Sequence, residues 1–394
     1  MSRSSVALLF FDRFFPAYKA GGPARSSVAM IEHLQPFCRM RVFTSAFDLN
    51  ETAMLPGIRA DEWNPVKQIE VYYSSNNRFV RNLIRTVNKL DFHIYHFNSF
   101  FSPRFTIIPL LLIKVGILPK QKIIISPRGE CSSAALEIKS FKKKLYLFVF
   151  RHFLKTGIKF HATTPREKQD IRNILKVSAQ SIFQAANLRS SKDFPSGFSP
   201  SLKRAGFLRM IFVSRISPIK NIEFCLRVLS NLNSRIDFDC YGIAEDAGYL
   251  SDIKDLAKML PENIHFRYLG PIAADKVVDT IKLYDLLFFP SKSENFGHVI
   301  LESFMASRPV LISNNTYWQN LSEMHAGWDF PLDTQVRFEE VVRHLSTLDS
   351  QEFEKYSKGA YQRALLYFND TGIVNSYLEA YDLQSGSSDE RSDQ

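Results

Sequence analysis

Short apolar runs alternate with longer stretches in which apolar residues recur every third or fourth position, and that rhythm predicts strands joined by crossover helices. Strands are expected near 6–11, 40–44, 93–97, 122–126 and 158–163, and again near 209–214, 236–241, 264–268, 286–289 and 309–313. Strand followed by helix, repeated through both halves, implies parallel sheets covered on their faces by helices: two doubly wound α/β domains. Thr164-Pro165-Arg166-Glu167 reads as a capping box with proline at the first helical position, so a helix is expected from 165 to about 176. Asn187 to Gly206 is rich in Ser, Pro, Gly and Lys and lacks a period. It marks a linker (187–206) between a domain over 1–186 and a second over 207–370. Residues 371–383 carry Ile373, Val374, Tyr377, Leu378 and Tyr381 at helical spacing, and the polar stretch 384–394 is expected to be disordered.

Three segments carry the candidate chemistry. In the first, Asp285 heads the apolar run Leu286-Leu287-Phe288-Phe289, which Pro290 ends. A polar loop with Glu294 and Gly297 follows, and from His298 onward Val299, Ile300, Leu301, Phe304 and Met305 have the spacing of a helix with a buried side. Strand, glycine-bearing loop and helix start together make an anion site, because unpaired backbone N–H groups and the helix dipole favour negative charge there. Glu294 and Glu302, separated by seven residues, can flank it and accept hydrogen bonds from hydroxyls. In the second segment, Phe212-Val213-Ser214-Arg215-Ile216-Ser217-Pro218-Ile219-Lys220-Asn221, a strand is followed by two cations suited to a diphosphate. Both are expected to gather with the loop that bears Glu294. The third, Phe15-Pro16-Ala17-Tyr18-Lys19-Ala20-Gly21-Gly22-Pro23-Ala24-Arg25, is a glycine-bearing turn between the first strand and a helix. It is not a G-x-G-x-x-G fingerprint, and no ribose-binding acid follows it, so a nicotinamide site is disfavoured.

In this order, and spanning most of the chain, the three segments resemble the E-x7-E motif, the Arg…Lys phosphate-binding segment and the first glycine-rich loop of the retaining glycosyltransferases of family 4 (glycosyl transferases group 1). The resemblance implies the GT-B fold, two doubly wound Rossmann-like domains facing across a cleft, with the acceptor bound by the first and a nucleotide-diphospho-sugar donor by the second. It also implies that the helix over 371–383 crosses back to the first domain. Glu294 takes the place of the glutamate that contacts the donor sugar, and Glu302 of the one that accepts from the ribose. Arg215, Lys220, Gly21, Gly22, Asn295, Phe296, Gly297, His298, Val299 and Ile272 complete the donor set, the last standing where backbone contacts to the base are expected. Tyr95-His96-Phe97-Asn98 and Ser126-Pro127-Arg128-Gly129-Glu130 resemble first-domain segments, so His96 and Arg128 join Arg215, Lys220 and Glu294 as expected catalytic residues. Some relatives place a histidine near the position of Arg128, which leaves the acceptor-side chemistry open.

Composition narrows these readings. The 394 residues are 45% hydrophobic and 23% charged, as in a globular protein large enough for two cores. The opening Ser5–Phe11 is too short for a signal-peptide core, and no apolar run approaches the roughly 18–20 residues of a membrane-spanning helix, so a cytoplasmic location is expected. Cys38, Cys131, Cys225 and Cys240 form no C-x-x-C pair and are expected as buried thiols. Asp237-Phe238-Asp239 matches the D-x-D signature of metal-dependent transferases. It lies inside a strand pattern, and Arg215 and Lys220 already supply positive charge, so neither metal nor cofactor is expected. The net charge of +10 suits an anionic donor and an anionic membrane surface; nucleic acid is disfavoured, for lack of any RNP, helix-turn-helix or zinc-finger pattern. Residues 139–155 interleave Lys142, Lys143, Lys144 and Arg151 with Phe141, Leu145, Phe148 and Phe153. Two readings stay open for them: a core-facing helix with a basic outer side, or a helix lying on a membrane beside a lipid-linked acceptor. A nucleotide-sugar epimerase and a sugar-nucleotide-binding scaffold without turnover stand as rival functions.

Overall fold

The computed structural model describes residues 6–17, 22–66, 68–75, 77–132, 140–194 and 197–383. The chain divides into two compact units, Met1–Ser190 with Asp370–Gln394, and Ser191–Asn369. Tyr18 to Gly21 of the glycine-bearing turn, and the tail 384–394, lie outside the described residues.

The first unit is built on eight strands: β1 (Val6–Phe11), β2 (Arg39–Ser45), β3 (Trp63–Val66), β4 (Ile69–Ser74), β5 (Ile94–Asn98), β6 (Lys122–Ile125), β7 (Ile158–Ala162) and β8 (Ile182–Gln184). Their order is β3-β4-β2-β1-β5-β6-β7-β8, parallel except where β3 runs against β4. The second unit holds β9 (Phe207–Val213), β10 (Arg235–Tyr241), β11 (Ile264–Gly270), β12 (Leu286–Phe289), β13 (Val310–Ser313) and β14 (Gly327–Phe330), all parallel in the order β11-β10-β9-β12-β13-β14. Each expected strand is present; β3, β4, β8 and β14 were not anticipated. β3 contains Pro65 and sits at the edge, where a missing N–H does least harm, while β8 and β14 are too short to leave an apolar run.

Central strands are apolar on both faces because helices cover both. Leu286 to Phe289 are all buried, as are Ala7 to Phe11. In the first unit aromatic rings dominate: Phe43 stacks on Tyr72 with centroids 4.7 Å apart, and Phe10 lies 5.0 Å from Phe97. The helix Pro165–Leu175 begins at the expected proline, with the Thr164 hydroxyl accepting from the Glu167 N–H at 3.0 Å, while the Glu167 carboxylate accepts from the Thr163 N–H at 2.7 Å.

The boundary between the units, at Ser190 and Ser191, falls inside the stretch expected as a linker, 187–206, and residues on either side of it are buried. Asn187, Leu188 and Arg189 are buried in the first. Ser201 and Lys203 are buried in the second, where Lys203 Nζ donates to the carbonyls of Arg204, Phe207, Ser346 and Leu348. Its polar side chains here satisfy buried carbonyls rather than meeting water. The helix Thr371–Ala380 belongs to the first unit.

Strand order sets where a site can form. In a doubly wound sheet the crevice opens at the carboxyl ends of the two strands where the order reverses. In the second unit these are β9 and β12, so the loops after Val213 and after Phe289 emerge side by side. Gly242, after β10, holds the neighbouring turn against Ser214: at φ +151° a β-carbon there would stand 1.6 Å from the Ser214 carbonyl oxygen. Gly242→Ala should therefore cost about 2–4 kcal/mol through backbone strain and overpacking together, read as a lowered midpoint in urea unfolding. An unchanged midpoint would show that this turn relaxes freely.

Candidate active site

The two loops at the reversal point are tied together by their own backbones. The Asn221 amide donates to the Pro290 carbonyl at 3.0 Å, and the Lys292 N–H donates to Ile219 at 2.8 Å. Lys220 sits at the end of a short 3-10 turn (Pro218–Lys220) that Asn221, at φ +64°, closes before the helix Ile222–Leu229. The lysine is buried, its ammonium on the Glu294 carboxylate and 5.5 Å from the centre of the Phe289 ring. The Glu294 N–H is fixed to the Asn315 carbonyl at 3.0 Å.

Beyond Glu294 the loop is anchored from below. Phe296 is buried against Trp318, and the Trp318 indole N–H donates to its carbonyl at 2.8 Å. Gly297 then turns the chain into the helix His298–Met305 at φ +76°, a backbone setting that side chains resist. A β-carbon there would lie 2.7 Å from Ile300 Cδ1 and 3.2 Å from Glu294 Cγ. The amides of His298 and Val299 lie in the first turn of this helix, at the positive end of its dipole. Glu302, one turn in, is buried. Glu294, Asn295, Phe296, Gly297, His298, Val299 and Glu302 thus share one loop and helix start, with Lys220 placed against Glu294.

Arg215 departs from expectation. Its guanidinium pairs with Glu245 at 2.5 Å rather than joining Glu294. The cause is local: Ile216 bridges to Ala244, and its N–H donates to Ile243 at 2.9 Å, so Arg215 leaves β9 on the β10 side. Both partners are largely solvated, and a pair of this kind is worth only about 0–1 kcal/mol. An incoming anion can take the arginine from Glu245 at little cost. A third cation, Lys292, pairs with Glu223 at 2.9 Å. Glu245, Glu223 and Lys292 escaped sequence reasoning, since each looks like an ordinary surface charge until the topology brings it to this edge. Ile272 stands just past β11, part-buried beyond Gly270. Asp239 is committed to Arg267 at 2.7 Å and to the Tyr284 hydroxyl at 2.6 Å, while Asp237 pairs with His265 at 3.4 Å.

In the first unit the order reverses between β1 and β5. Gly22 begins the helix Gly22–Leu34 there, and Gly21 lies outside the described residues. Arg128, at φ +56°, donates to the side-chain oxygens of Asn98, at 3.0 Å, and of Asn187. The next amide, Gly129, donates to the buried Glu167 carboxylate at 2.6 Å. Two carboxylates missed in the sequence line the same edge. Asp12 accepts from the Ser102 hydroxyl at 2.6 Å, and Glu130 accepts from the Phe100 and Phe101 N–H groups at 2.5 and 3.1 Å. Burial raises the pKa of both. The quoted Pro-Arg-Gly-Glu run already contained Glu130; only the fold reveals what it holds.

His96, expected among the catalytic residues, lies in the interior of the first unit. It is fully buried, and both ring nitrogens are engaged, Nδ1 with the Tyr381 hydroxyl and Nε2 with Ser126 Oγ at 2.7 Å. Ser126 Oγ continues to His161 Nδ1 at 2.9 Å, and His161 Nε2 to the Ala185 carbonyl at 2.8 Å. Because a carbonyl can only accept, His161 carries its proton on Nε2. Ser126 then donates to His161 and accepts from His96, and Tyr381 donates to His96. All groups in this directional chain are neutral. Burial, with Arg128 nearby, pushes His161 down to about 3, and burial, His161 and Arg128 hold His96 well below the usual histidine range.

Among solved structures, Anabaena HepE in complex with UDP and glucose superimposes with a TM-score of 0.66 at 14% identity, covering 96% of this chain and 99% of that one. The fold is GT-B. Residues 197–352 match the family model of the glycosyl transferases group 1. An uncharacterized 41.2 kDa protein in the cps region of Klebsiella pneumoniae is 23% identical over 307 residues, 76% of this chain and 81% of that protein. The alpha-monoglucosyldiacylglycerol synthase of Streptococcus pneumoniae is 31% identical over 112 residues, which is 28% of this chain and 25% of the synthase.

A histidine held neutral in the fold but free to protonate when unfolded favours the unfolded chain as acid is added. The stability it permits is complete above the unfolded pKa near 6.5 and is lost as pH falls toward about 3. Between pH 7.5 and 5 His161 should account for a loss of about 2 kcal/mol. Urea unfolding of wild type and His161→Gln across that range checks this: the variant should lose less, and parallel curves would refute it.

Proposed function

We propose that the chain is a retaining glycosyltransferase of family 4 that moves a hexose from a nucleotide-diphospho-sugar to a hydroxyl of a glycan or lipid-linked glycan. The observation that supports this reading is the site at the β9/β12 reversal, where a buried lysine, the glutamate paired with it and a helix start stand within the segment matched by the transferase family. The first unit then supplies the acceptor side, with Arg128 and the Asp12 and Glu130 carboxylates as its polar groups. Kinship with a protein of a cps region, and over a shorter span with a glycolipid synthase, favours a role in building cell-surface polysaccharide or lipopolysaccharide on the cytoplasmic side.

The chemistry follows from charge. As the bond between the sugar's anomeric carbon and the phosphate oxygen breaks, its electron pair stays on the leaving diphosphate. Lys220, Arg215 once released by Glu245, and the amides of His298 and Val299 stabilise that charge without a metal ion. Glu294 and Glu302 accept from donor hydroxyls. Attack on the same face of the sugar retains the configuration: the acceptor oxygen bonds to the anomeric carbon, and its proton passes to the departing phosphate oxygen.

Incubation of a nucleotide-sugar panel with candidate acceptors, with product configuration read by NMR, tests the reading. Transfer should survive EDTA, and Arg215→Ala and Lys220→Ala should each lower kcat by about two to three powers of ten. Near-normal turnover in both variants would remove the mechanism. Conversion of the sugar with no acceptor present would favour an epimerase instead, and donor binding without turnover a scaffold.

A further inference from the structure

The helix Ser140–Val149 and the π-turn Phe150–Leu154 that continues it have two apolar sides. Leu147, Phe150 and Leu154 point into the core of the first unit. Phe141, Leu145 and Phe148, spaced by four and three residues along the other side, are 79%, 58% and 57% exposed, and Phe153 is 72% exposed. A solvated outer side of a surface helix is ordinarily polar, so this second apolar stripe needs a partner.

A second element extends it. The helix Ile108–Lys114 packs against the π-turn, and Lys114 Nζ donates to the Thr156 carbonyl at 2.6 Å. Leu111, Val115 and Ile117 at this helix's end are also exposed, Val115 at 67%. Charge along the two segments has one sign. The sequence has no Asp or Glu from Phe92 to Gly129, and none from Ile138 to Arg166. Lys142, Lys144 and Lys155 are exposed on the described residues of those segments.

We infer that these two elements form a docking face for an anionic lipid bilayer, with the aromatic and aliphatic tips entering the acyl boundary and the lysines meeting headgroup phosphates. Apolar depth combined with unopposed positive charge is the chemistry of peripheral membrane binding. A second copy of the chain fits poorly, since a two-fold contact would set each lysine cluster against its equivalent. The inference rests on exposure and charge, and stands whether or not sugar transfer occurs.

Sedimentation of the full chain with vesicles tests it with no donor or acceptor present. Binding to phosphatidylglycerol/phosphatidylcholine vesicles should exceed binding to pure phosphatidylcholine at least tenfold and weaken as salt is raised. Phe141→Glu with Phe148→Glu should lower the partition coefficient by tenfold or more while the circular dichroism spectrum is unchanged; Lys142→Gln with Lys144→Gln should abolish the preference for anionic lipid. Absence of sedimentation, equal binding to neutral vesicles, or self-association that shields the patch in analytical ultracentrifugation would each overturn it.

Discussion

An ammonium group taken out of bulk water must be matched by acceptors, and at the candidate site the acceptor that matches Lys220 is a carboxylate. Lys220 is buried, so Glu294 has to be its neighbour, and the loops that deliver them have to be pinned by Asn221, Ile219 and Asn315. The strand reversal between β9 and β12 is what puts those loops side by side. Gly297 completes the arrangement, because only a residue without a side chain turns there between Glu294 and Ile300.

Set against this, Arg215 is loosely committed. Its pair with Glu245 lies in solvent, whereas the Lys220 pair is shielded. One cation is part of the framework and the other is available for exchange. A site built this way holds its shape when empty yet still has positive charge to offer an incoming phosphate, at the small cost of a screened surface contact.

The alternation of strands and helices was legible because fully apolar strands such as Leu286–Phe289 leave an unmistakable run. The loop and helix start that bear Glu294 and Glu302 were legible because the two flank a glycine at a spacing that a loop and one helical turn account for. What remained hidden depended on three dimensions. Glu245 and Arg215 are thirty residues apart, and nothing local announces that Ile216 pairs with Ala244. Nothing local to His96 announces that the hydroxyl of a tyrosine some 285 positions away meets its ring. The packing of the connecting stretch was hidden for a related reason: serine and lysine read as solvated until the carbonyls they cap are seen.

The hydrogen-bonded thread from Tyr381 to Ala185 has a consequence for biogenesis. The first unit's interior takes Tyr377 and Tyr381 from a helix that the ribosome makes only after the entire second unit. Until that helix is synthesised, His96 lacks its donor and the sheet edge around Ser126 stands open. The earlier-made half must therefore wait, partly formed, while the later-made half closes on itself, and an amino-terminal fragment would be an incomplete body rather than a detachable module.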